Sequence, residues 1–211
     1  MEAKKEGANS YAGILIFMCA VFFCLLAGAL QQDNGKQSSM TVEQKQANLE
    51  NRKVPAYYQW DSEWASDSYA NGTMANSGCG PTCLSMVTVY FTGDEEKTPD
   101  WMAEYSTKNG YILGGKTAWT LMGEGAENLG LQVKQLVTDE KKIKRELKKG
   151  RLLICSMGPG DFTRSGHFIV LTGYQKGGYT VQDPNSEENS KKIWTYEQIS
   201  DQIKNIWVYW M

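Results

Sequence analysis

The chain has 211 residues, of which 41% are hydrophobic and 22% are charged, and its formal net charge at pH 7 is −2. This composition indicates a globular domain with an appendage. The mild charge balance gives no electrostatic indication of nucleic-acid binding, so no nucleic-acid partner is expected. The basic run at residues 141–149 is interpreted as the solvated face of a helix.

The first thirty residues do not belong to a globular core. Residues 1–10 form a short tail, and residues 11–30 contain no charged side chain. Twenty apolar residues are long enough to cross a bilayer as a helix. Ala27-Gly28-Ala29 also fits a signal-peptide cleavage site, so cleavage near Ala29 stays open. We predict a transmembrane helix or signal peptide at 11–30, which places the domain outside the cytoplasm, either membrane-bound or secreted.

The rest of the chain divides near residue 53. Residues 31–53 hold few apolar groups and are predicted to form a flexible polar linker. Residues 54–211 show helical patterns first and strand patterns afterwards, which indicates an α+β domain with an antiparallel sheet. The predicted helices cover residues 79–92, 98–108, 117–128, 138–149 and 196–201, and the predicted strands cover 152–157, 167–172, 179–183 and 206–210.

One turn carries the strongest chemical signal. In Ser77-Gly78-Cys79-Gly80-Pro81-Thr82-Cys83, a thiol lies where an apolar helix begins. Unpaired backbone N–H groups and the helix dipole stabilise a thiolate at that position. Cys79 is therefore the candidate nucleophile, whereas Cys83 and Cys155 are interpreted as buried core residues.

His167 is the only histidine and thus the only candidate imidazole base. It lies where a glycine-rich loop meets a strand, and Asp183 lies at the end of the next strand. A simple hairpin turning at Lys176-Gly177 would place Asp183 opposite Val170, three residues from His167. A hydrogen bond between His167 and Asp183 therefore requires a bulge or a wider turn, with Asn185 as the alternative orienting residue.

An oxyanion needs hydrogen-bond donors as well as a nucleophile. The backbone N–H of Cys79 can supply one donor. The side-chain amide of Gln59 can supply another, or it can make a purely structural hydrogen bond. No cofactor and no metal are expected, because one histidine with Cys79 and Cys83 falls short of a zinc site.

Four segments together resemble one family, the bacteriocin-processing (double-glycine leader) peptidase-like domains, a branch of the papain-like cysteine peptidases. The resemblance covers about residues 54–211. It implies a papain-like fold in which the nucleophile's helix packs on the sheet that bears the base. It further implies that Cys79 is the nucleophile, His167 the base, Asp183 its orienting residue and Gln59 the oxyanion amide. The four segments are Tyr58-Gln59-Trp60-Asp61, Gly78-Cys79-Gly80-Pro81-Thr82, Gly166-His167-Phe168-Ile169-Val170-Leu171 and Asp183-Pro184-Asn185-Ser186.

These observations predict a membrane-tethered or secreted cysteine peptidase that cleaves a peptide or protein substrate through a thioacyl-enzyme intermediate. Two alternatives stay open. One is a catalytically silent peptide-binding module on the same fold, and the other is an amidase or transpeptidase acting on cell-wall peptides. Nothing in the sequence resembles a transporter or an ATPase, so a substrate other than a double-glycine leader is expected.

Overall fold

The computed structural model describes residues 52–211. The predicted membrane or signal segment at 11–30, and all but the last two residues of the predicted linker at 31–53, lie outside this range. Arg52 is already in contact with the domain, since its Nη1 donates a hydrogen bond of 2.6 Å to the carbonyl of Tyr90. Within residues 52–211, no helix is long and apolar enough to cross a membrane.

The domain contains seven α-helices and ten strands within the described range. The helices are α1 (Met74–Ser77), α2 (Cys79–Thr92), α3 (Pro99–Lys108), α4 (Glu124–Asn128), α5 (Glu140–Lys148), α6 (Glu187–Lys191) and α7 (Tyr196–Ile199). The strands are β1 (Ser68–Tyr69), β2 (Gly72–Thr73), β3 (Ile112–Leu113), β4 (Lys116–Thr117), β5 (Gln132–Leu136), β6 (Leu152–Met157), β7 (His167–Gln175), β8 (Gly178–Gln182), β9 (Ile193–Trp194) and β10 (Ile203–Trp210).

A six-stranded antiparallel sheet forms the centre of the domain, with strand order β5-β10-β6-β7-β8-β9. Both α2 and α5 pack against β7. Ile143 and Leu147 of α5 join a buried core that includes alternate residues of the sheet, such as Cys155 and Ile169. The α+β class and the packing of α2 on the sheet agree with the sequence prediction.

Helix α2 is buried on almost every side. The apolar residues Leu84 and Val87 fall on the predicted face, but Met86 and Thr88 are also 0–1% exposed. The reason is that α2 packs against both the sheet and α3. The helix ends at Gly93, whose φ of 74° is the left-handed conformation that glycine adopts at low cost.

The turn between β7 and β8 falls at Lys176-Gly177, as predicted, but the strands do not keep a simple register. Gly173 pairs with Thr180 and Leu171 pairs with Val181, so one extra residue, Thr172, is inserted in β7. This is the bulge that a hydrogen bond between His167 and Asp183 requires.

The structure differs from the sequence prediction mainly in its short elements. The predicted helix at 117–128 is wrong, because Thr117 belongs to β4 and the segment after it is a 3₁₀ turn, Trp119–Leu121, followed by the short α4. Gly123, with φ −97° and ψ −94°, separates the two helical pieces. The sequence did not predict helices α1 and α6 or strands β1 to β5 and β9; β5 is a half-exposed edge strand with a polar sequence.

Gly78 lies at the junction of α1 and α2, and its lack of a side chain is needed there. A Cβ atom at this position would lie 2.5 Å from the carbonyl oxygen of Met74 and 2.8 Å from its sulfur. We therefore expect Gly78→Ala to lower the free energy of unfolding by about 1–3 kcal/mol. Gly166→Ala is the matched control, because the nearest atom to its Cβ would be 4.0 Å away. Equal stability of the two variants in urea titrations would contradict this interpretation.

Candidate active site

Cys79 is the first residue of α2 and the only cysteine of the described part with solvent exposure. The N–H groups of a first helical turn lack acceptors within the helix, so they and the helix dipole favour negative charge at this point. Cys83 and Cys155 are completely buried, and burial raises the pKa of both thiols well above the ordinary value. Cys79 is therefore the accessible thiol of the domain.

His167 and Asp183 are joined by a hydrogen bond of 2.7 Å between Nε2 and Oδ1. The bulge at Thr172 accounts for this contact. Val170 pairs with Gln182, so the same register continued by one residue places Asp183 opposite Ile169. The side chains of His167 and Ile169 lie on the same side of β7. The side chain of Val170, which a simple hairpin would place opposite Asp183, lies on the other side.

Asp183 is held by further hydrogen bonds and is 1% exposed. The backbone N–H of Asn185 donates to its Oδ1 at 2.9 Å, and the side-chain amide of Asn189 donates to its Oδ2 at 2.8 Å. Its own N–H donates to the hydroxyl of Ser190. Both Asn189 and Ser190 lie on α6, which Ser186 caps. These supports fix the carboxylate, and sequence reasoning missed the two on α6.

Asn185, the predicted alternative for orienting the imidazole, contacts Asp183 only through its backbone N–H. Its carbonyl accepts a hydrogen bond of 3.1 Å from the indole of Trp60. The group bonded to the imidazole is therefore the Asp183 carboxylate.

The electrostatics of His167 favour its protonated form. Burial alone lowers the pKa of the imidazole, but the hydrogen bond to Asp183, the neighbouring Cys79 and the negative charges of both groups outweigh it. The pKa rises from its ordinary 6.5 to about 9. With Nε2 bonded to Asp183, Nδ1 is the ring nitrogen left for Cys79. This arrangement suits a thiolate beside an imidazolium.

Gln59 is buried, and its Nε2 donates a hydrogen bond of 2.6 Å to the carbonyl of Ala75. Its backbone N–H donates to Pro184 at 2.8 Å, which ties this segment to the residue after Asp183. Ala75 lies on α1, four residues before Cys79, so the amide is anchored to the helix that precedes the nucleophile. The structural hydrogen bond foreseen for Gln59 is thus present. Its Oε1 is buried and has no hydrogen-bond partner within residues 52–211, and Gln59 is not among the residues that line the cavity beside Cys79.

A cavity of about 330 Å³ lies beside Cys79. His167 and Phe168 at the start of β7 border it, as do Ser156 of β6 and the segment that carries β4. The nucleophile and base candidates therefore face one space, and the residues around that space include Lys116 and Trp119.

A known family matches the sequence over nearly the whole described domain. The model of the Peptidase_C39 like family matches residues 51–210. The chain belongs to the Peptidase_C39 like family. Membership supports cysteine peptidase activity at the level of the family and agrees with the resemblance drawn from the sequence motifs. No curated protein matches the chain.

Two solved structures are similar to the chain at low identity. The first is the peptidase domain of Streptococcus ComA, described as a bi-functional ABC transporter involved in a quorum sensing pathway. It is 18% identical with a TM-score of 0.48, and the match covers 63% of this chain and 90% of that one. The second is a putative C39-like peptidase from Bacillus anthracis, 16% identical with a TM-score of 0.47, where the match covers 75% of this chain and 95% of that one.

Selective alkylation tests the assignment of the accessible thiol. We expect iodoacetamide near pH 6 to label Cys79 much faster than Cys83 and Cys155, as measured by peptide mass mapping. His167→Ala should slow the labelling of Cys79, because the imidazolium that stabilises the thiolate is lost, although burial still protects Cys83 and Cys155. Labelling of Cys83 or Cys155 at a similar rate, or an unchanged rate in His167→Ala, would contradict the pairing of Cys79 with His167.

The raised pKa of His167 also predicts how stability depends on pH. The folded protein keeps the proton up to about pH 9, whereas the unfolded chain releases it near 6.5. This stabilisation is fully present below about pH 6.5 and is lost as the pH rises through 9. The stability of the wild type relative to His167→Ala should therefore fall by up to about 3 kcal/mol across that interval. A difference that stays constant in urea titrations from pH 6 to 9.5 would contradict the prediction.

Proposed function

We propose that the chain is a cysteine peptidase in which Cys79, His167 and Asp183 act as a catalytic triad. The proposal is carried by the hydrogen bond between His167 and the buried Asp183, together with the partly exposed thiol of Cys79 on the cavity that His167 also lines. The substrate is a peptide or protein. The apolar run at residues 11–30 supports a location at the outer face of the cell membrane, or secretion after cleavage near Ala29.

Acylation begins from the thiolate of Cys79 and the imidazolium of His167. The sulfur attacks the carbonyl carbon of the scissile bond, and the electron pair of the carbonyl moves onto its oxygen. When the tetrahedral intermediate collapses, the C–N bond breaks and the imidazolium gives its proton to the leaving amine. The products of this step are a free amine, a thioester on Cys79 and a neutral His167.

Deacylation returns the enzyme to its first state. Neutral His167 takes a proton from a water molecule as the water oxygen attacks the thioester carbon. The C–S bond then breaks, which releases a carboxylic acid and restores the thiolate and the imidazolium. Asp183 keeps the ring in the productive orientation throughout and stabilises its positive charge without accepting the proton.

The oxyanion formed in both steps needs donors at the helix start. In this proposal the backbone N–H of Cys79 supplies one and the second hydrogen of the Gln59 amide supplies the other. The hydrogen bond from the Gln59 amide to Ala75, four residues before the nucleophile, supports that role.

A peptide library tests the proposed activity. The full chain is incubated with synthetic peptides of known composition, and new termini are identified by mass spectrometry. We expect cleavage by the wild type, none by Cys79→Ala, and a kcat lower by roughly 10²–10⁴-fold in Asp183→Asn. Asp201→Asn, at an exposed position in the 3₁₀ turn that follows α7, should retain full activity. Peptide binding without any cleavage would favour a silent binding module, and new ligated products in the presence of an added amine would indicate transpeptidation.

The role of Gln59 requires a separate comparison, because removing it also breaks a structural hydrogen bond. We expect Gln59→Ala to lower kcat by about 10²–10³-fold with little change in KM, since an oxyanion donor acts in the transition state. Gln202→Ala is the control, because this other buried glutamine bonds to Asp161 and to the carbonyl of Gln198. If the two variants lose stability and activity in the same proportion, Gln59 is only structural.

A further inference from the structure

The cavity beside Cys79 contains a single lysine and no acidic side chain. Apart from the candidate catalytic pair, Cys79 and His167, Lys116 is the only residue lining it that can carry a charge. Lys116 is exposed, and its ammonium group forms no ion pair or hydrogen bond within residues 52–211. The cation is therefore available to a partner that enters the cavity.

The backbone of Lys116 is fixed relative to the nucleophile. Its neighbour Thr117 lies against Gly80, where a Cβ atom would come within 2.6 Å of the Thr117 methyl group. The hydroxyl of Thr117 is also 2.9 Å from that of Tyr69, which in turn is 3.0 Å from the hydroxyl of Ser106 on α3. Strand β4 is thus tied to the first turn of α2 and to α3, and Lys116 cannot move far from Cys79 except through its own side chain.

The rest of the cavity adds hydrogen-bond donors. The hydroxyls of Ser77, Ser156 and Ser165 border it, and none of the three has a hydrogen-bond partner within residues 52–211. Hydroxyl groups and an ammonium ion, with no carboxylate near them, suit a ligand that is rich in acceptor oxygens.

We propose that this cavity binds a carboxylate of the substrate, with Lys116 as its charge partner, and that the enzyme therefore prefers an acidic group beside the bond it cleaves. This inference rests on the proposed function, since it names the class of substrate that the proposed active site cleaves. The carboxylate belongs either to an acidic side chain or to the free C-terminus of a short peptide.

A pair of small alkylating reagents tests carboxylate binding without any need for cleavage. Iodoacetate and iodoacetamide transfer nearly the same group to Cys79, but only iodoacetate carries a carboxylate. We expect Lys116→Gln to lower the ratio of the iodoacetate rate to the iodoacetamide rate by about two- to fivefold, and Lys116→Glu to lower it further. The effect should weaken as salt is added.

The control is Lys141→Glu, which reverses an exposed charge on α5 that does not line the cavity. This variant should keep the wild-type ratio. The iodoacetamide rate and the midpoint of thermal unfolding report whether each variant keeps its fold and its reactive thiol. An unchanged ratio in both Lys116 variants, with a normal iodoacetamide rate, would overturn the inference and leave the triad unaffected.

Matched peptides then separate the two sources of the carboxylate. Peptides with Glu or Gln at each position around the cleaved bond, and with a free or amidated C-terminus, are compared by kcat/KM. A preference for Glu that Lys116→Gln removes assigns the cavity to a side chain, whereas a preference for the free C-terminus that Lys116→Gln removes assigns it to the chain end. Cleavage with neither preference would contradict the inference alone, and a lack of cleavage of every peptide would count against the proposed function and leave the alkylation result standing.

Discussion

The candidate site depends on one buried hydrogen bond, between Nε2 of His167 and Oδ1 of Asp183. This bond joins the beginning of β7 to the residue that follows β8, and it exists because Thr172 is an extra residue in β7. Without that insertion, the alternation of side chains along the strands would direct Asp183 to the other side of the sheet. The bulge at Thr172 therefore determines that His167 and Asp183 come into contact.

The hydrogen bonds around Asp183 explain why a charged carboxylate can remain at 1% exposure. A buried charge without partners is strongly disfavoured, but this one accepts hydrogen bonds from an imidazole, a backbone N–H and a side-chain amide. The same arrangement raises the pKa of His167, because the negative neighbours outweigh the effect of burial. Packing, hydrogen bonding and the protonation state of the base thus have a common origin in the position of Asp183.

The sequence predicts the parts of the site that depend on single residue types. The sequence alone indicates a cysteine at the start of a helix and a lone histidine at the start of a strand. Helix α2 begins at Cys79 as expected. The position of the bulge could not be derived, since nothing in the sequence singles out Thr172. The support from Asn189 and Ser190 was missed because α6 has only five residues and few apolar groups. The contact of Thr117 with Gly80 is a long-range packing relationship that local patterns do not encode.

The most direct measurement is the titration of His167 by nuclear magnetic resonance, because the chain contains only one histidine and its imidazole signals need no assignment by mutation. If Cys79, His167 and Asp183 form one electrostatic unit, the pKa in the wild type is about 9 and falls in both Asp183→Asn and Cys79→Ala. A pKa at or below 6.5 in the wild type, or one that neither substitution changes, would contradict the central claim.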